Sequence, residues 1–181
     1  MNSTKSQKIE EFLDELSSAS PTPGGGAVAA LAGAMAAGLV EMVCNLTIGK
    51  KKYERVYGEI IEIRLKAQKD KKSLLKLADE DIEGFNNVMS AYKKRDKTQV
   101  RKALTGATII PLTIAKICSE LVGAAKRVAR IGNKNAISDA KVALHLARAA
   151  KLSALENVKI NLKYIEDEKF IKKVKRISDS L

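Results

Sequence analysis

The sequence predicts an all-α fold, a multihelical bundle of long helices, and three observations carry that prediction. Aromatic residues make up 4% of the 181 positions, Trp is absent, and hydrophobic residues reach 45%, so the core must be built from Ala, Leu, Ile and Val. Only three prolines occur, at 21, 23 and 111, which leaves the rest free to run as long helices. Runs of Val, Ile and Thr with period-two alternation, the mark of half-buried strands, are missing. A chain of this length suits one domain, residues 1–181, with a substantial core.

The elements follow in order. The first helix, about Lys5 to Ser18, places Ile9, Phe12, Leu13 and Leu16 on one face; being amphipathic and charged, it is not a secretory leader. Ser17 to Gly26 breaks the pattern with serine, proline and glycine. The second helix, about Ala27 to Ile48, opens AVAALAGAMAAGLV and is apolar almost all round, which signals burial on most sides. A membrane span is the rival reading. Glu41 and Asn45 interrupt the run before it reaches the roughly 18–20 apolar residues a span needs. The stripes Ala29, Gly33, Ala37 and Ala30, Ala34, Gly38 let other helices approach closely.

After Lys50-Lys51-Lys52, a third helix begins near Tyr53 and extends to Tyr92, with a break near Lys69 left open. The fourth spans roughly Thr98 to Arg130, and Pro111 should kink or split it. Gly132 and Asn133 stop it. Ser138 is the expected cap of a fifth helix running to about Ile165, and Asp167 that of a charged final helix ending at Leu181. No internal repeat or linker is evident.

Charge and cysteine usage narrow the function. A formal net charge of +12 gives a well-solvated basic surface and favours anionic partners. Scarce aromatics argue against stacking platforms for single-stranded nucleic acid, and no helix-turn-helix or zinc-finger pattern occurs. Cys44 and Cys118 lie in apolar helical surroundings without motif spacing, which reads as reduced, buried thiols in a cytoplasmic protein. The single histidine, His145, sits mid-helix, so a histidine-based triad or histidine-rich metal site is excluded as a design.

Three places carry candidate chemistry. Gly24-Gly25-Gly26-Ala27-Val28-Ala29 fits the loose G-x-G-x-x-A form, but a dinucleotide loop needs a preceding strand, and a helix and a Ser/Pro turn stand there instead. Either the glycines allow a tight turn, or their bare N–H groups face a ligand. In the third helix, Leu74, Ala78, Phe85, Val88 and Tyr92 form an apolar seam into which Asp81 falls, while Asp79, Glu80 and Glu83 lie mostly off it and read as solvated. A carboxylate there is either a structural partner of a cation or backbone amide, or a group of altered pKa suited to acid–base work. In the fifth helix, Ala143, Ala147, Ala150 and Ala154 make a seam reaching Asp139 at one end and Asn157 and Asn161 at the other. Those amides read either as interhelical hydrogen-bonding groups or as ligand contacts in a pocket between helices.

Taken together, the segment SPTPGGGAVAALAGAMAAGLVEMVCNLTIGKKKYE, then LADEDIEGFNNVMSAYK, Pro111, GNKNAISDAKVALHLARAA and NVKINL resemble the cyclodeaminase/cyclohydrolase family. That family includes the cyclodeaminase domain of formiminotransferase-cyclodeaminase and stand-alone methenyltetrahydrofolate cyclohydrolases. The motifs cover most of the chain in the right order, although KKRDKTQV after Tyr92 lacks the family's common leucine-proline pair. The resemblance implies an intertwined homodimer with folate in a crevice near the interface, and a catalytic aspartate at the second acid of D-x-D-x-x-x-F, here Asp81.

The expectation is therefore a cytoplasmic folate enzyme with Asp81 catalytic and with Gly24, Gly25, Gly26, Lys51, Asp139, Asn157 and Asn161 binding substrate. No metal and no cofactor beyond the tetrahydrofolate substrate are expected, nor a membrane or nucleic-acid partner. Lys50 to Lys52, or Lys126 and Arg127, would hold the glutamate tail of the folate. Without a transferase domain the chain reads as a methenyltetrahydrofolate cyclohydrolase; formiminotetrahydrofolate cyclodeaminase and a non-enzymatic basic scaffold are the alternatives.

Overall fold

The structure, a computed structural model, describes residues 3–181, with the backbone alone at Lys5. Among the described residues it is helical throughout, with six α-helices: α1 (Ile9–Ser17), α2 (Gly25–Thr47), α3 (Tyr57–Lys94), α4 (Lys97–Ile131), α5 (Ile137–Leu162) and α6 (Glu168–Asp179). Short 3-10 turns at Thr4–Ser6, Lys51–Val56 and Lys134–Ala136 precede α1, α3 and α5.

Helices α2 to α5 form an up-down-up-down bundle. Helix α2 packs on α3 and α5, α4 packs on the same two, and α2 meets α4 across the diagonal. The alanine content explains the close approach: Ala27, Ala29, Ala30, Ala34, Ala36 and Ala37 of α2 and Ala147, Ala150 and Ala154 of α5 are buried in one cluster. Larger side chains fill the spaces between these small ones, with Leu74 and Ile114 fully buried there. Each such side chain contributes about 1.5–3 kcal/mol of burial free energy. A second cluster around Val40, Val43, Ile60 and Val128 closes one end of the bundle. At the other end, α6 lays Val174 against Val88, Leu104, Leu112 and Val158.

The polar residues that interrupt the apolar run of α2 face α3: Glu41 pairs with Lys71, and Asn45 accepts from Arg64 at 3.5 Å. Helices α2 and α4 are both long and apolar enough to cross a membrane, with mean hydropathy 1.9 and 1.5 over their most apolar stretches. Over half of that stretch in α2, 56%, is buried inside the chain, as in the core helix of a bundle.

Several expected boundaries shift. Helix α3 is continuous, without a break at Lys69, because 57–94 contains no proline; Tyr53 belongs to the preceding 3-10 turn. Pro111 does not split α4, which runs through it from Lys97 to Ile131. Its missing N–H leaves the carbonyl of Ala107, one turn back, without the usual helical donor. The side-chain amide of Asn161 in α5 donates to that carbonyl at 2.9 Å, so the neighbouring helix repairs the break.

Ser138 does not cap α5. The helix begins one residue earlier with no side-chain cap, and Asn133 caps the preceding turn by accepting from the Asn135 N–H. The helix also ends at Leu162, leaving Ile165 to pack in the α6 cluster. Asp167 caps α6 as expected, accepting from the backbone of Lys169 and Phe170. Cys44 and Cys118 are free and fully buried.

Candidate active site

At the end of the bundle where α2 begins, four helices leave a cleft of about 450 Å³, within the usual size range of small-molecule sites. The N-terminus of α2 supplies Gly24, Gly25 and Gly26, preceded by Pro21 and Thr22. From α3 come Asp81, Phe85, Val88, Met89 and Tyr92, and from α4 Leu104 and Ala107. Asn157 and Asn161 of α5, with Tyr164 just beyond it, complete the wall. Asp81 is the one carboxylate in this lining, and no lysine or arginine accompanies it.

Asp81 is half-buried against the first turn of α2. That turn has no side-chain cap of its own, and the backbone N–H of Ala27 donates to the Asp81 carboxylate. The four unpaired N–H groups and positive end of a helix make this a favourable place for a carboxylate. Burial nevertheless dominates and raises the Asp81 pKa above its ordinary value, with the Ala27 hydrogen bond opposing part of the shift. Asp81 thus combines a contact to a backbone amide with a raised pKa. Gly26 makes the approach possible, since a Cβ there would overlap the Asp81 carboxyl oxygens.

The amides of α5 are partly committed to structure. Asn157 donates to Ser153 O of its own helix at 2.9 Å, and Asn161 holds Ala107 O at the same distance. Both still line the cleft, where Gly25 also passes: a Cβ on that glycine would sit 3.5 Å from the Asn157 amide nitrogen.

Two expected positions are not brought here. Lys51 follows the far end of α2, about 33 Å away along the helix axis, and Asp139 lies in the first turn of α5, about 27 Å from Asn157. Periodicity placed Asp139 on the α5 seam, but Ala140 takes the buried position and Asp139 turns partly outward. Asp79, expected to be solvated, instead holds the N-terminal segment: the Thr4 N–H donates to it at 2.7 Å and the Ser3 hydroxyl donates as well.

Sequence reasoning missed Met89, Leu104, Ala107 and Tyr164 as cleft residues. Tyr164 follows Asn161 by three and Asn157 by seven, so helical spacing carried a signal for it. Leu104 and Ala107 carried none, because their place depends on how α4 sits against α3. Phe85 and Tyr92 were read as core-facing seam residues, yet they are 37% and 47% exposed. The seam leaves the core at Asp81 and continues as the cleft wall.

The fold and cleft thus define a class: a four-helix bundle whose crevice sets one half-buried carboxylate among amide and aromatic groups. The comparisons identify it further. The description Formiminotransferase-cyclodeaminase names the family model that matches residues 8–180. Methenyltetrahydrofolate cyclohydrolase of Methylorubrum extorquens is 43% identical over 91% of this chain and 83% of its own length. Formimidoyltransferase-cyclodeaminase of Rattus norvegicus is 29% identical over 96% of this chain, which spans only 34% of that longer protein. The crystal structure of formiminotetrahydrofolate cyclodeaminase from Thermotoga maritima superposes with a TM-score of 0.94 at 37% identity, covering 97% of this chain and 88% of that one. The chain belongs to the formiminotransferase-cyclodeaminase family.

Proposed function

We propose that the protein is a methenyltetrahydrofolate cyclohydrolase, with Asp81 as its acid–base group. The observation that carries this is the placement of the Asp81 carboxyl on the cleft wall, desolvated enough to raise its pKa and held by the Ala27 N–H. The likeness to the Methylorubrum cyclohydrolase over most of both chains supports the reaction assigned.

The chemistry follows from the substrate's cation. Water adds to the methenyl carbon between N5 and N10 while Asp81 takes its proton, giving a neutral carbinol. The carbon–N5 bond then breaks as Asp81 returns that proton to N5 and the carbinol O–H loses its own to solvent. The products are 10-formyltetrahydrofolate and one released proton. A carboxylate beside the attacking water lowers the barrier by taking its proton and by stabilising the positive charge that develops on its oxygen. Gly24, Gly25 and Gly26 let the substrate approach the backbone, Asn157 and Asn161 offer acceptor oxygens, and no cofactor beyond the tetrahydrofolate substrate takes part.

Cyclodeamination of formiminotetrahydrofolate is the second reading, favoured by the likeness to the Thermotoga enzyme. Following the methenyl chromophore with each substrate decides between them. Consumption of the methenyl compound by wild type, with loss of turnover but retained folate binding in Asp81→Asn, is the expected result. Inertness of wild type towards both substrates overturns both readings.

The chain acts in this reading as one domain, residues 1–181, in the cytoplasm, bound neither to membrane nor to nucleic acid. It works as a homodimer. Val28, Met35, Met42 and Leu46 are all more than a third exposed. At 100° per residue they fall on one stripe along the outer face of α2, a surface that a second copy would cover.

A further inference from the structure

Pro111 stands in the interior of α4, fully buried, and is not itself part of the cleft lining. A proline there has no N–H to give and its ring presses on the carbonyl four residues back, so the position is costly to the helix. That carbonyl belongs to Ala107, a cleft residue. Leu104, the other cleft residue of α4, has a carbonyl that accepts the Thr108 hydroxyl at 2.8 Å besides the N–H of its own helix. Ala107 O is left for Asn161, whose Nδ2 donates to it at 2.9 Å. A carbonyl only accepts, so it can be met only by the NH2 end of the amide, and this settles which way round Asn161 is held. Among the described residues no group donates to the Asn161 Oδ1, and that oxygen is not buried. Asn157 is held differently. Its amide donates to Ser153 O, a carbonyl that already accepts the backbone N–H of Asn157 within α5.

Resting on the folate reading above, we propose that Pro111 is a positioning residue of the cleft: by freeing the Ala107 carbonyl it locks the Asn161 amide with its NH2 end on α4 and its oxygen presented to the substrate. At this place the cleft then offers an acceptor, fitted to an N–H of the reduced pterin ring, and not a donor. An N–H restored at position 111 would give Ala107 O its helical donor and weaken the hold on Asn161. The amide could then turn over and set its own N–H groups against those of the ring. Pro111 acts in this way on how the substrate is held, while proton transfer belongs to Asp81. Its loss therefore falls on KM and not on kcat.

The test is a double-mutant cycle on Pro111→Ala and Asn161→Ala, read with methenyltetrahydrofolate. Pro111→Ala should raise KM about fivefold, the loss of one neutral hydrogen bond, with kcat within about twofold of wild type. Alanine is the strongest helix former, so urea unfolding should find this variant no less stable than wild type. In the Asn161→Ala background the same substitution should leave KM unchanged, because the group it positions is gone. An unchanged KM in Pro111→Ala, or an equal rise in both backgrounds, overturns the proposal. A second readout needs no turnover: exchange of the Asn161 side-chain amide protons by NMR, their signals assigned by their absence from Asn161→Ala. One of the two should exchange roughly tenfold faster in Pro111→Ala than in wild type as its bond to Ala107 O weakens, and equal exchange refutes the inference. Should wild type turn over no folate, the reaction assigned above fails, while the exchange comparison still decides whether Pro111 sets the amide.

Discussion

Gly26 and Asp81 occupy each other's space: the position a Cβ would take on Gly26 coincides with the Asp81 carboxyl group. The glycine-rich start of α2 is thus a seat for the acid of α3 rather than a turn alone. Gly26→Ala should displace the carboxylate, lower kcat/KM about a hundredfold through mispositioning, and cost about 1–3 kcal/mol through overpacking. Chemical denaturation of Gly26→Ala/Asp81→Ala separates the effects. Removing the carboxyl should return most of the stability while activity stays lost. Wild-type activity in Gly26→Ala would refute the geometry.

The raised pKa of Asp81 gives stability and activity opposite pH dependences. The folded protein holds the Asp81 proton to higher pH than the unfolded chain, whose carboxyl titrates near its ordinary value of 3.8. This group's contribution to stability is therefore greatest below that value and is lost as pH rises through the folded pKa. In the proposed mechanism Asp81 acts as the ionised base, so kcat/KM should fall as pH drops through an apparent pKa above 3.8. Asp81→Asn should abolish that inflection and lower kcat by about 10²–10⁴. Rate profiles and urea unfolding of both proteins across the acid range check each half.

Asn161 and Pro111 form a compensating pair through the carbonyl of Ala107. Asn161→Ala leaves that carbonyl without its donor and should cost about 1–3 kcal/mol. Adding Pro111→Ala restores a helical N–H one turn on, so the double variant should be more stable than Asn161→Ala alone. A strictly additive double-mutant cycle would show that the two residues do not share the carbonyl.

Both thiols are held protonated by burial, Cys44 raised to about 11 and Cys118 to about 12. Only the thiolate is nucleophilic, so native protein at pH 8 should resist alkylation by iodoacetamide, while both cysteines label in urea. Rapid labelling of the native form would contradict the packing around α2 and α4.

The outer stripe of α2 predicts a mass change. Met35→Lys/Met42→Lys places two charges on the surface assigned to the second copy, and light scattering should report a shift from dimer to monomer. An unaltered dimer would place the interface elsewhere.

The sequence pattern specified most of the helices, because each depends on local residues: the alanine stripes of α2 and the Asp167 cap of α6 are written in their neighbours, whereas local pattern leaves the continuity of α3 past Lys69 open and the structure decides it. It also picked out Asp81, since a carboxylate on an apolar seam is legible from spacing alone, and Asn157 and Asn161 for the same reason. Tertiary structure decided which of these marked residues meet. Asp139 reads as a seam residue like the others and Lys51 as part of a basic run, yet the antiparallel course of the bundle carries both to its far end. The same course brings the start of α4 beside the end of α3, making Leu104 and Ala107 parts of the cleft wall. Nor could periodicity foresee that α4 would run intact through Pro111, because the donor that replaces the lost hydrogen bond comes from a residue 50 positions later, on another helix. Local pattern fixes which face of a helix is apolar; only packing fixes what that face touches.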